Sequence, residues 1–269
     1  MTSFFKGKTV AVTGGSDGIG KALVDQLITL GANVATCARN QDKLYELQVL
    51  HSGSALHTMV ADVTKIEDCR RFIESTISNF GGIDILINNA GISMRALLKE
   101  TEVDVIKKVM DVNFYGMVYC TKLALDSIIT RKGSIVGISS IAGYRGLPGR
   151  SGYSASKFAV NGWLEAVRTE MLDHGVNVLW ICPGFTTSNI RNAALNNKGE
   201  SQGESPMDEG SMMSSAECAG HILKAIEKRK RTLVLTFTGW RTVFLNKFFP
   251  GLADKMVHKF FFKNGQLVR

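Results

Sequence analysis

The stretch Thr9-Val10-Ala11-Val12-Thr13-Gly14-Gly15-Ser16-Asp17-Gly18-Ile19-Gly20 decides how this chain folds. It begins with a short β-branched run, typical of a buried strand, and ends in a glycine-rich turn. Residues 21–28 follow with the apolar spacing of a helix face, and Gly31 ends that helix as a C-cap would. Strand, glycine turn and helix in this order are typical of a site that holds a pyrophosphate at a helix N-terminus. A glycine turn without a ligand is the alternative, because the spacing differs by one residue from GxGxxG.

Six further short apolar runs repeat the strand pattern, at residues 33–37, 55–60, 84–87, 134–138, 176–181 and 232–235. Strands that alternate with helices predict a parallel sheet covered by helices on both faces. We therefore expect an α/β fold of the Rossmann type, a doubly wound seven-stranded sheet in a single domain of residues 1–237. Residues 189–215 break the rhythm, since they are polar and rich in Asn, Gly and Ser. They predict a mobile insertion over the substrate site.

Composition excludes several classes of protein. The 269 residues are 45% apolar and 21% charged, which is ordinary for a globular domain and argues against disorder. The five cysteines include no CxxC pair and favour a reducing compartment. The five histidines show no ligand spacing, so no metal is predicted. A signal-peptide pattern and a membrane-spanning apolar stretch are both lacking, which favours a cytoplasmic protein, or one peripheral on a membrane surface.

The positive charge belongs to the end of the chain. The net charge is +8, yet the segment from Lys224 onward has 11 Lys/Arg and two acids, which leaves the earlier residues nearly balanced. Residues 238–269 form a basic amphipathic tail, which Pro250-Gly251 divides into two short helices. Large apolar side chains recur there every four residues, at Trp240, Phe244, Phe248, Leu252, Met256 and Phe260. Such a tail can contact an anionic membrane, dock on the domain, cap the substrate cleft or pair with another subunit.

A tyrosine and a lysine share one helix face in Tyr153-Ser154-Ala155-Ser156-Lys157. A free phenol has a pKa of about 10. A neighbouring ammonium would lower that pKa and so assist proton exchange. Alone, such a pair is more often a surface pair. Ser140, the stretch Asn88-Asn89-Ala90-Gly91 and Pro183-Gly184 each follow a predicted strand, so they should meet at the carboxyl edge of the sheet.

Taken together, the chain resembles the classical short-chain dehydrogenase/reductase family over residues 8 to 237. The stretch from Thr13 to Gly20 is similar to the family's TGxxxGxG, and residues 88–91 to its NNAG. Ser140 matches the catalytic serine, and Tyr153 with Lys157 matches YxxxK. Asn113 matches the helix asparagine that completes the family's tetrad.

The resemblance implies hydride transfer between a nicotinamide cofactor and a carbonyl or secondary alcohol. Tyr153 would be the general acid–base, and Lys157 would lower its pKa and bind the nicotinamide ribose. Ser140 would hydrogen-bond the substrate oxygen, and Asn113 would hold a water that links Lys157 to solvent. Besides Tyr153 and Lys157, the implied cofactor-binding residues are Gly14, Ser16, Gly18, Ile19, Gly20, Arg39, Asp62, Val63, Asn89, Ala90, Gly91, Pro183, Gly184 and Ser188.

The end of the second predicted strand favours NADP(H) over NAD(H). NAD-selective sites carry an acid at this place, about 20 residues beyond the glycines. This chain has Ala38 and then Arg39, whose guanidinium can bind a 2′-phosphate with two hydrogen bonds. Ser16 resembles positions that help to hold that phosphate, whereas Asp17 departs from relatives with a base there. The alternative is that Arg39 is an ordinary solvated arginine.

The expected substrate is a hydrophobic ketone of a lipid-like, steroid-like or 3-oxoacyl kind, in a pocket lined by Met94, Ile141 and Leu147. Relatives pair through helices that correspond to residues 105–127 and 153–172, which implies a homodimer or homotetramer. Three alternatives are an epimerase or dehydratase on this scaffold, a non-catalytic NADP(H)-binding sensor or scaffold module, and a membrane-surface interaction protein. The chain lacks a nucleic-acid reading motif, so no nucleic-acid partner is expected.

Overall fold

Seven parallel strands form the central sheet of the computed structural model, which describes residues 2–207, 210 and 212–268. The strands are β1 (Thr9–Thr13), β2 (Asn33–Ala38), β3 (Leu56–Val60), β4 (Ile85–Asn88), β5 (Ser134–Ile138), β6 (Asn177–Cys182) and β7 (Thr232–Val234). Their spatial order is β3-β2-β1-β4-β5-β6-β7, and every neighbouring pair is parallel. The predicted doubly wound α/β fold is confirmed.

Helices cover both faces of this sheet. They are α1 (Thr2–Phe5), α2 (Gly18–Thr29), α3 (Gln41–Leu50), α4 (Ile66–Phe80), α5 (Val103–Met110), α6 (Gly116–Thr130), α7 (Ser151–Glu170), α8 (Ser215–Glu227), α9 (Phe237–Phe248) and α10 (Pro250–Phe261). Alternate strand residues point to opposite faces. Ala11 of β1 therefore packs with α4, α6 and α7, whereas Val10 and Val12 pack with α2 and α8. These two buried layers fix the carboxyl ends of the strands along one edge.

The sheet order reverses at β1, whose neighbours are β2 on one side and β4 on the other. In doubly wound sheets, the crevice beyond the carboxyl ends of the strands at such a reversal is where ligands bind. The loops after β1, β4, β5 and β6 all open on this edge. Each motif singled out in the sequence therefore lies on one rim of the molecule.

Two details differ from the sequence expectation. The helix expected over 105–127 is interrupted by a π-helical turn at Asp111–Tyr115, so it forms α5 and α6. The tail contains the two expected helices and then a short hairpin, β8 (Phe262–Lys263) with β9 (Gln266–Leu267), which its apolar spacing does not predict.

The described part of residues 189–215 lacks helices and strands until α8 begins. It is tied to the domain by isolated bridges of Leu195 with Met94 and of Met213 with Thr186. Its mobility stays a prediction, as does the division into a domain of 1–237 and a tail of 238–269.

No helix within the described ranges has the length and apolar character needed to cross a membrane. In the same part of the chain, His, Cys, Asp and Glu side chains form no cluster of three or more that could hold a metal ion. All five cysteines are buried and free.

Candidate active site

The turn between β1 and α2 requires glycine at several positions. Gly14 and Gly18 have φ values of 71° and 52°, in the left-handed region that favours glycine. A Cβ on Gly20 would lie only 2.1 Å from the carbonyl oxygen of Gly14. The side-chain amide of Asn89, beyond β4, donates hydrogen bonds of 3.0 Å to the carbonyl oxygens of Thr13 and Gly14. The Asn89 side chain thus holds the turn through its backbone carbonyl oxygens.

One cavity of about 450 Å³ runs along the carboxyl edge of the sheet. It is lined by every site residue that the sequence predicted except Asn113. These lining residues are Gly14, Ser16, Gly18, Ile19, Gly20, Arg39, Asp62, Val63, Asn89, Ala90, Gly91, Ser140, Tyr153, Lys157, Pro183, Gly184 and Ser188. The sequence motifs, far apart in the chain, therefore share a single cleft.

A lysine that sequence reasoning missed lies at one end of this cleft. Asn40 caps α3 by accepting a hydrogen bond from the backbone N–H of Lys43 at 2.9 Å. The ammonium of Lys43 in turn pairs with the carboxylate of Asp17. Asp17 also caps α2, because it accepts from the backbone N–H of Gly18 at 2.7 Å. The position of Lys43 in the first turn of the helix that follows β2 was the signal that could have identified it.

At the other end of the cleft, α7 brings Tyr153 and Lys157 beside Ser140, which follows β5. The side chains of Ser140 and Tyr153 both line this end of the cavity. Lys157 is buried, and its ammonium donates to the carbonyl oxygen of Ile138 at 2.8 Å. The Lys157 nitrogen lies 5.7 Å from the centroid of the Tyr153 ring. Two hydroxyls and an ammonium therefore occupy one pocket, as an acid–base site requires.

The pKa of Tyr153 is raised by desolvation in the cleft. The hydrogen bond with Ser140 and the positive charges of Arg150 and Arg191 oppose this rise. The Lys157 ammonium is directed to the carbonyl of Ile138. The expectation that Lys157 lowers the pKa of Tyr153 stays a prediction.

Burial also lowers the pKa of Lys157 from its ordinary range to about 8. A charged ammonium loses hydration when it is enclosed by protein, and a single carbonyl only partly replaces that hydration. At neutral pH the side chain remains mostly protonated, so it still contributes a positive charge to the pocket.

Asn113 lies on the π-helical turn and behind the cavity wall. Its side-chain oxygen accepts from the backbone N–H of Ile92 at 2.8 Å, and its amide donates to the Ile92 carbonyl at 3.0 Å. The amide also donates to the hydroxyl of Ser156 at 2.9 Å. Asn113 thus ties the loop after β4 to α7, and the water relay through it stays a prediction. Single-turn π-bulges are frequent at functional sites.

The serine next to Ser140 also contacts α7. The hydroxyl of Ser139, one residue before Ser140, donates to the backbone carbonyl of Lys157 and so braces α7.

Of the three predicted apolar lining residues, only Leu147 reaches the cavity. Met94 is fully buried below it, and Ile141 packs against α9. The expected lining is therefore wrong for those two residues, because their side chains point into neighbouring packing layers.

Two arginines that the sequence analysis did not identify line the substrate end of the cavity. Arg150 directly precedes α7 and is buried, and burial lowers its pKa to about 10. Its guanidinium lies 5.3 Å from the centroid of the Phe261 ring. Arg191 donates to the carbonyl of Thr186 at 2.8 Å. The place of Arg150, three residues before Tyr153, was the available signal.

The tail packs on the loop that follows Ser140. Arg145 donates to the side-chain oxygen of Asn246 at 2.9 Å and forms an ion pair with Asp254. Asn246 donates in turn to the backbone carbonyl of Tyr144 at 2.8 Å. We refer to these contacts of Arg145, Asn246 and Asp254 as the tail clamp. Of the four predicted fates for the tail, docking on its own domain is the one this structure shows.

Comparison with known proteins agrees with this geometry. The family profile described as short chain dehydrogenase matches residues 8–199. The chain belongs to the short-chain dehydrogenase/reductase family. Dehydrogenase/reductase SDR family member 7B of Mus musculus is 34% identical over 263 residues, which cover 95% of this chain and 81% of the relative. A Dictyostelium discoideum relative, SDR family protein 7-like, is 31% identical over 96% of this chain and 83% of its own length. This short-chain dehydrogenase/reductase is therefore an oxidoreductase of alcohol or carbonyl groups.

Solved structures show the same fold. A short-chain dehydrogenase of Streptomyces avermitilis superposes with a TM-score of 0.80 at 25% identity, over 95% of this chain and 99% of that one. A Burkholderia phymatum short-chain dehydrogenase/reductase, in complex with NAD, has a TM-score of 0.82 at 21% identity. It covers 92% of this chain and 95% of its own, and at that identity the likeness concerns the fold alone.

Proposed function

We propose that this enzyme transfers hydride between NADP(H) and a carbonyl or secondary alcohol, chiefly in the reduction of a hydrophobic ketone. One observation carries the proposal. Ser140, Tyr153 and Lys157 line the same cavity whose other end carries the glycine turn and two cations, Arg39 and Lys43.

The cavity fits a dinucleotide. A Cβ on Gly14 would lie 2.9 Å from the Cα of Ala90, so the backbone here leaves room that only glycine keeps open. The N-terminus of α2 offers backbone N–H groups to a pyrophosphate. Asp62 and Val63 would hold the adenine end, and Ser188, near Gly18, the nicotinamide end. When bound, the cofactor would supply or accept the hydride.

Electrostatics at the adenine end favour NADP(H). Asp17 would repel a 2′-phosphate, but its carboxylate is paired with Lys43 and caps α2. Arg39 is exposed at the end of β2 and can donate two hydrogen bonds to the phosphate. Ser16 adds a hydroxyl on the same wall. The two cations Arg39 and Lys43 and the one acid Asp17 leave a net charge of +1 at this end. That charge is suited to the additional phosphate of NADP(H).

Each residue of the catalytic group would have its own role in the reaction. The raised pKa of Tyr153 keeps its phenol protonated at neutral pH, which is the form that a reduction requires as a proton donor. Ser140 would donate a hydrogen bond to the substrate oxygen and stabilise its developing negative charge. Lys157, largely charged below a pKa of about 8, would bind the nicotinamide ribose hydroxyls and favour the phenolate once the proton has left. Asn113 would hold the water through which the proton is resupplied.

The substrate class is inferred from the wall of the cleft. Leu147, Phe185 and Ile190 give it an apolar side beyond the catalytic hydroxyls. A ketone on a lipid-like, steroid-like or 3-oxoacyl chain would fit such a surface, and we propose a role for the enzyme in lipid metabolism.

We further propose a cytoplasmic homodimer or homotetramer, peripheral on a membrane surface through residues 238–269. Relatives pair through the helices that correspond here to α5–α6 and α7. In this chain Tyr115 and Phe158 present exposed aromatic rings in those regions, which supports a subunit contact there. Light scattering of the purified protein tests this assembly.

Replacement of Tyr153 by Phe tests the catalytic proposal. NADPH oxidation should fall by about 10²–10⁴-fold across ketones of graded chain length, since one general acid is removed. NADPH binding, measured by fluorescence, should be retained. Tyr45→Phe, an exposed tyrosine on α3, is the matched control and should act as wild type. Near wild-type turnover by the Tyr153 variant would refute the assignment, and NADPH binding without turnover of any ketone by the wild type would favour the sensor alternative.

A further inference from the structure

Helix α9 presents a row of exposed rings, Phe237, Trp240, Phe244 and Phe248, here named the aromatic ladder. Their side chains are between 42% and 75% exposed. Successive ring centroids lie 6.5, 5.6 and 4.9 Å apart, so the rings form one continuous apolar strip. Their spacing of three and four residues places them on one helix face. Monomeric proteins seldom expose such a strip unless it meets a partner.

Helix α10 repeats this arrangement beside it. Phe249, Leu252, Met256 and Phe260 follow the same spacing and are all exposed. The side of α10 that carries Asp254 and Phe261 faces the domain, where Phe261 is buried and Asp254 pairs with Arg145. Each tail helix therefore has one face held by the enzyme and one apolar face turned outward.

Positive charge accompanies the exposed rings. Five bases of the described tail are exposed, namely Arg241, Lys247, Lys255, Lys259 and Lys263. The same segment has one acid, Asp254, which is bound to Arg145 in the tail clamp. The ammonium of Lys247 lies 5.6 Å from the Phe248 centroid, so base and ring share one surface. Apolar area together with basic charge is the pair of signals that peripheral membrane helices use.

We propose that the outer face of α9 and α10 docks this enzyme on an anionic phospholipid bilayer. The aromatic ladder would enter the interface between headgroups and acyl chains, and the bases would lie at the lipid phosphates. A second copy of the chain is disfavoured as the occupant. A two-fold interface would place the same five bases opposite one another without compensating acids.

This inference makes specific the membrane contact of residues 238–269, and it does not rest on the catalytic assignment. The docked face leads to the substrate cleft. Phe260 stacks on Phe185, with centroids 6.3 Å apart, and Phe185 lines the cavity. A lipophilic substrate in the bilayer would therefore meet the mouth of the cleft directly, without first crossing water.

Vesicle flotation of the full chain tests the proposal. The wild type should bind phosphatidylcholine vesicles that contain phosphatidylserine, bind pure phosphatidylcholine far less, and dissociate in high salt. The triple variant Trp240→Ser, Phe244→Ser, Phe248→Ser should lose about 1000-fold in partitioning, because burial of each of the three rings is worth roughly tenfold. The matched control, Tyr45→Ser, Leu50→Ser, Leu98→Ser, removes three equally exposed apolar side chains elsewhere and should bind as wild type.

Charge and fold are tested separately. Arg241→Gln with Lys247→Gln and Lys255→Gln should remove the preference for phosphatidylserine. Thermal unfolding and NADPH binding should stay at wild-type values in the ladder variant, which separates a docking defect from misfolding and from a failure of the proposed catalysis. Equal binding to both kinds of vesicle, or undiminished binding by the ladder variant, would overturn the proposal. So would ladder-dependent self-association without vesicle binding, which would instead identify a second copy as the partner.

Discussion

The two ends of the cleft are built in different ways. The nucleotide end is formed by backbone at close approach, where a single added Cβ on Gly20 would meet the Gly14 carbonyl at 2.1 Å. The substrate end is formed by long side chains from distant segments, such as Arg150 with Phe261 and Phe185 with Phe260. The first end has little tolerance for added atoms, whereas the second can adjust by rotation about side-chain bonds. Substitutions at the two ends should therefore differ in size and in kind.

Gly20→Ala should have the largest effect of the substitutions considered. The new methyl group would clash with the Gly14 carbonyl, which is backbone, and with the Asn89 side-chain amide, which is held by hydrogen bonds to the Thr13 and Gly14 carbonyls. Overpacking of this kind costs about 3 kcal/mol or more. We expect a fall in Tm of about 5–10 °C and a loss of NADPH binding. Calorimetry and fluorescence titration measure the two effects.

Gly162→Ala is the control for that experiment. Gly162 is exposed on α7, and a Cβ there would have open space around it. Alanine should stabilise the helix by about 1 kcal/mol and leave NADPH binding unchanged. A Gly20 variant that bound NADPH as the wild type does would remove the contrast between the two ends.

The same contrast explains what the sequence could predict. A close backbone approach requires glycine at fixed spacing, so the stretch from Thr13 to Gly20 indicated both a turn and a phosphate site. Buried β-branched runs likewise gave the seven strands, with ends within one or two residues. Periodicity does not encode the partner of a long side chain, so the tail clamp and the contact of Arg150 with Phe261 could not be predicted. The ion pair of Lys43 with Asp17 was missed for the same reason.

Lys157→Met should reveal the cost of burying a charge at the junction of the two ends. Burial lowers the pKa of Lys157 to about 8, whereas an unfolded lysine has a pKa of about 10.4. Between these values the unfolded wild type binds more protons, so its stability rises with pH through this window. The burial cost is fully present below pH 8 and is on the order of 3 kcal/mol.

The Met variant lacks this titration. The Tm of the wild type relative to the variant should therefore increase as pH rises from about 8 to about 10.4 and stay level below this window. Thermal melts at matched ionic strength measure the difference, and titrations common to both proteins cancel. A constant difference across the window would show that Lys157 keeps an ordinary pKa.

A smaller effect is expected where the nucleotide end relies on side chains. Lys43→Ser should raise KM for NADPH by about tenfold and leave KM for NADH unchanged, since it removes a cation and exposes the charge of Asp17. Arg39→Ser should do less, because it uncovers no acid. The double variant Lys43→Ser, Asp17→Asn should recover part of the loss. If KM changed equally for NADPH and NADH, the 2′-phosphate would not bind near Lys43.

Arg145→Ala should have the smallest effect on global stability. It breaks the tail clamp, but Asp254 is exposed, and solvent-screened ion pairs contribute about 1 kcal/mol or less. Tm and NADPH binding should stay close to wild type. The tail should open more often, so trypsin should cleave after Lys247 or Lys255 up to about fivefold faster. Limited proteolysis followed by mass spectrometry measures this rate.

The proteolysis rate of the Arg145→Ala variant shows which contacts hold the tail on the domain. Arg70→Ala is its control, because the ion pair of Arg70 with Glu67 lies on α4, away from the tail. If trypsin cleaved the tail of the Arg145→Ala variant no faster than that of this control, the burial of Phe261 and Ala253 would be sufficient to hold the tail on the domain. The substrate end would then be an apolar packing layer like the sheet below it. Faster cleavage with unchanged cofactor binding would instead show that the two ends of one cleft are stabilised independently.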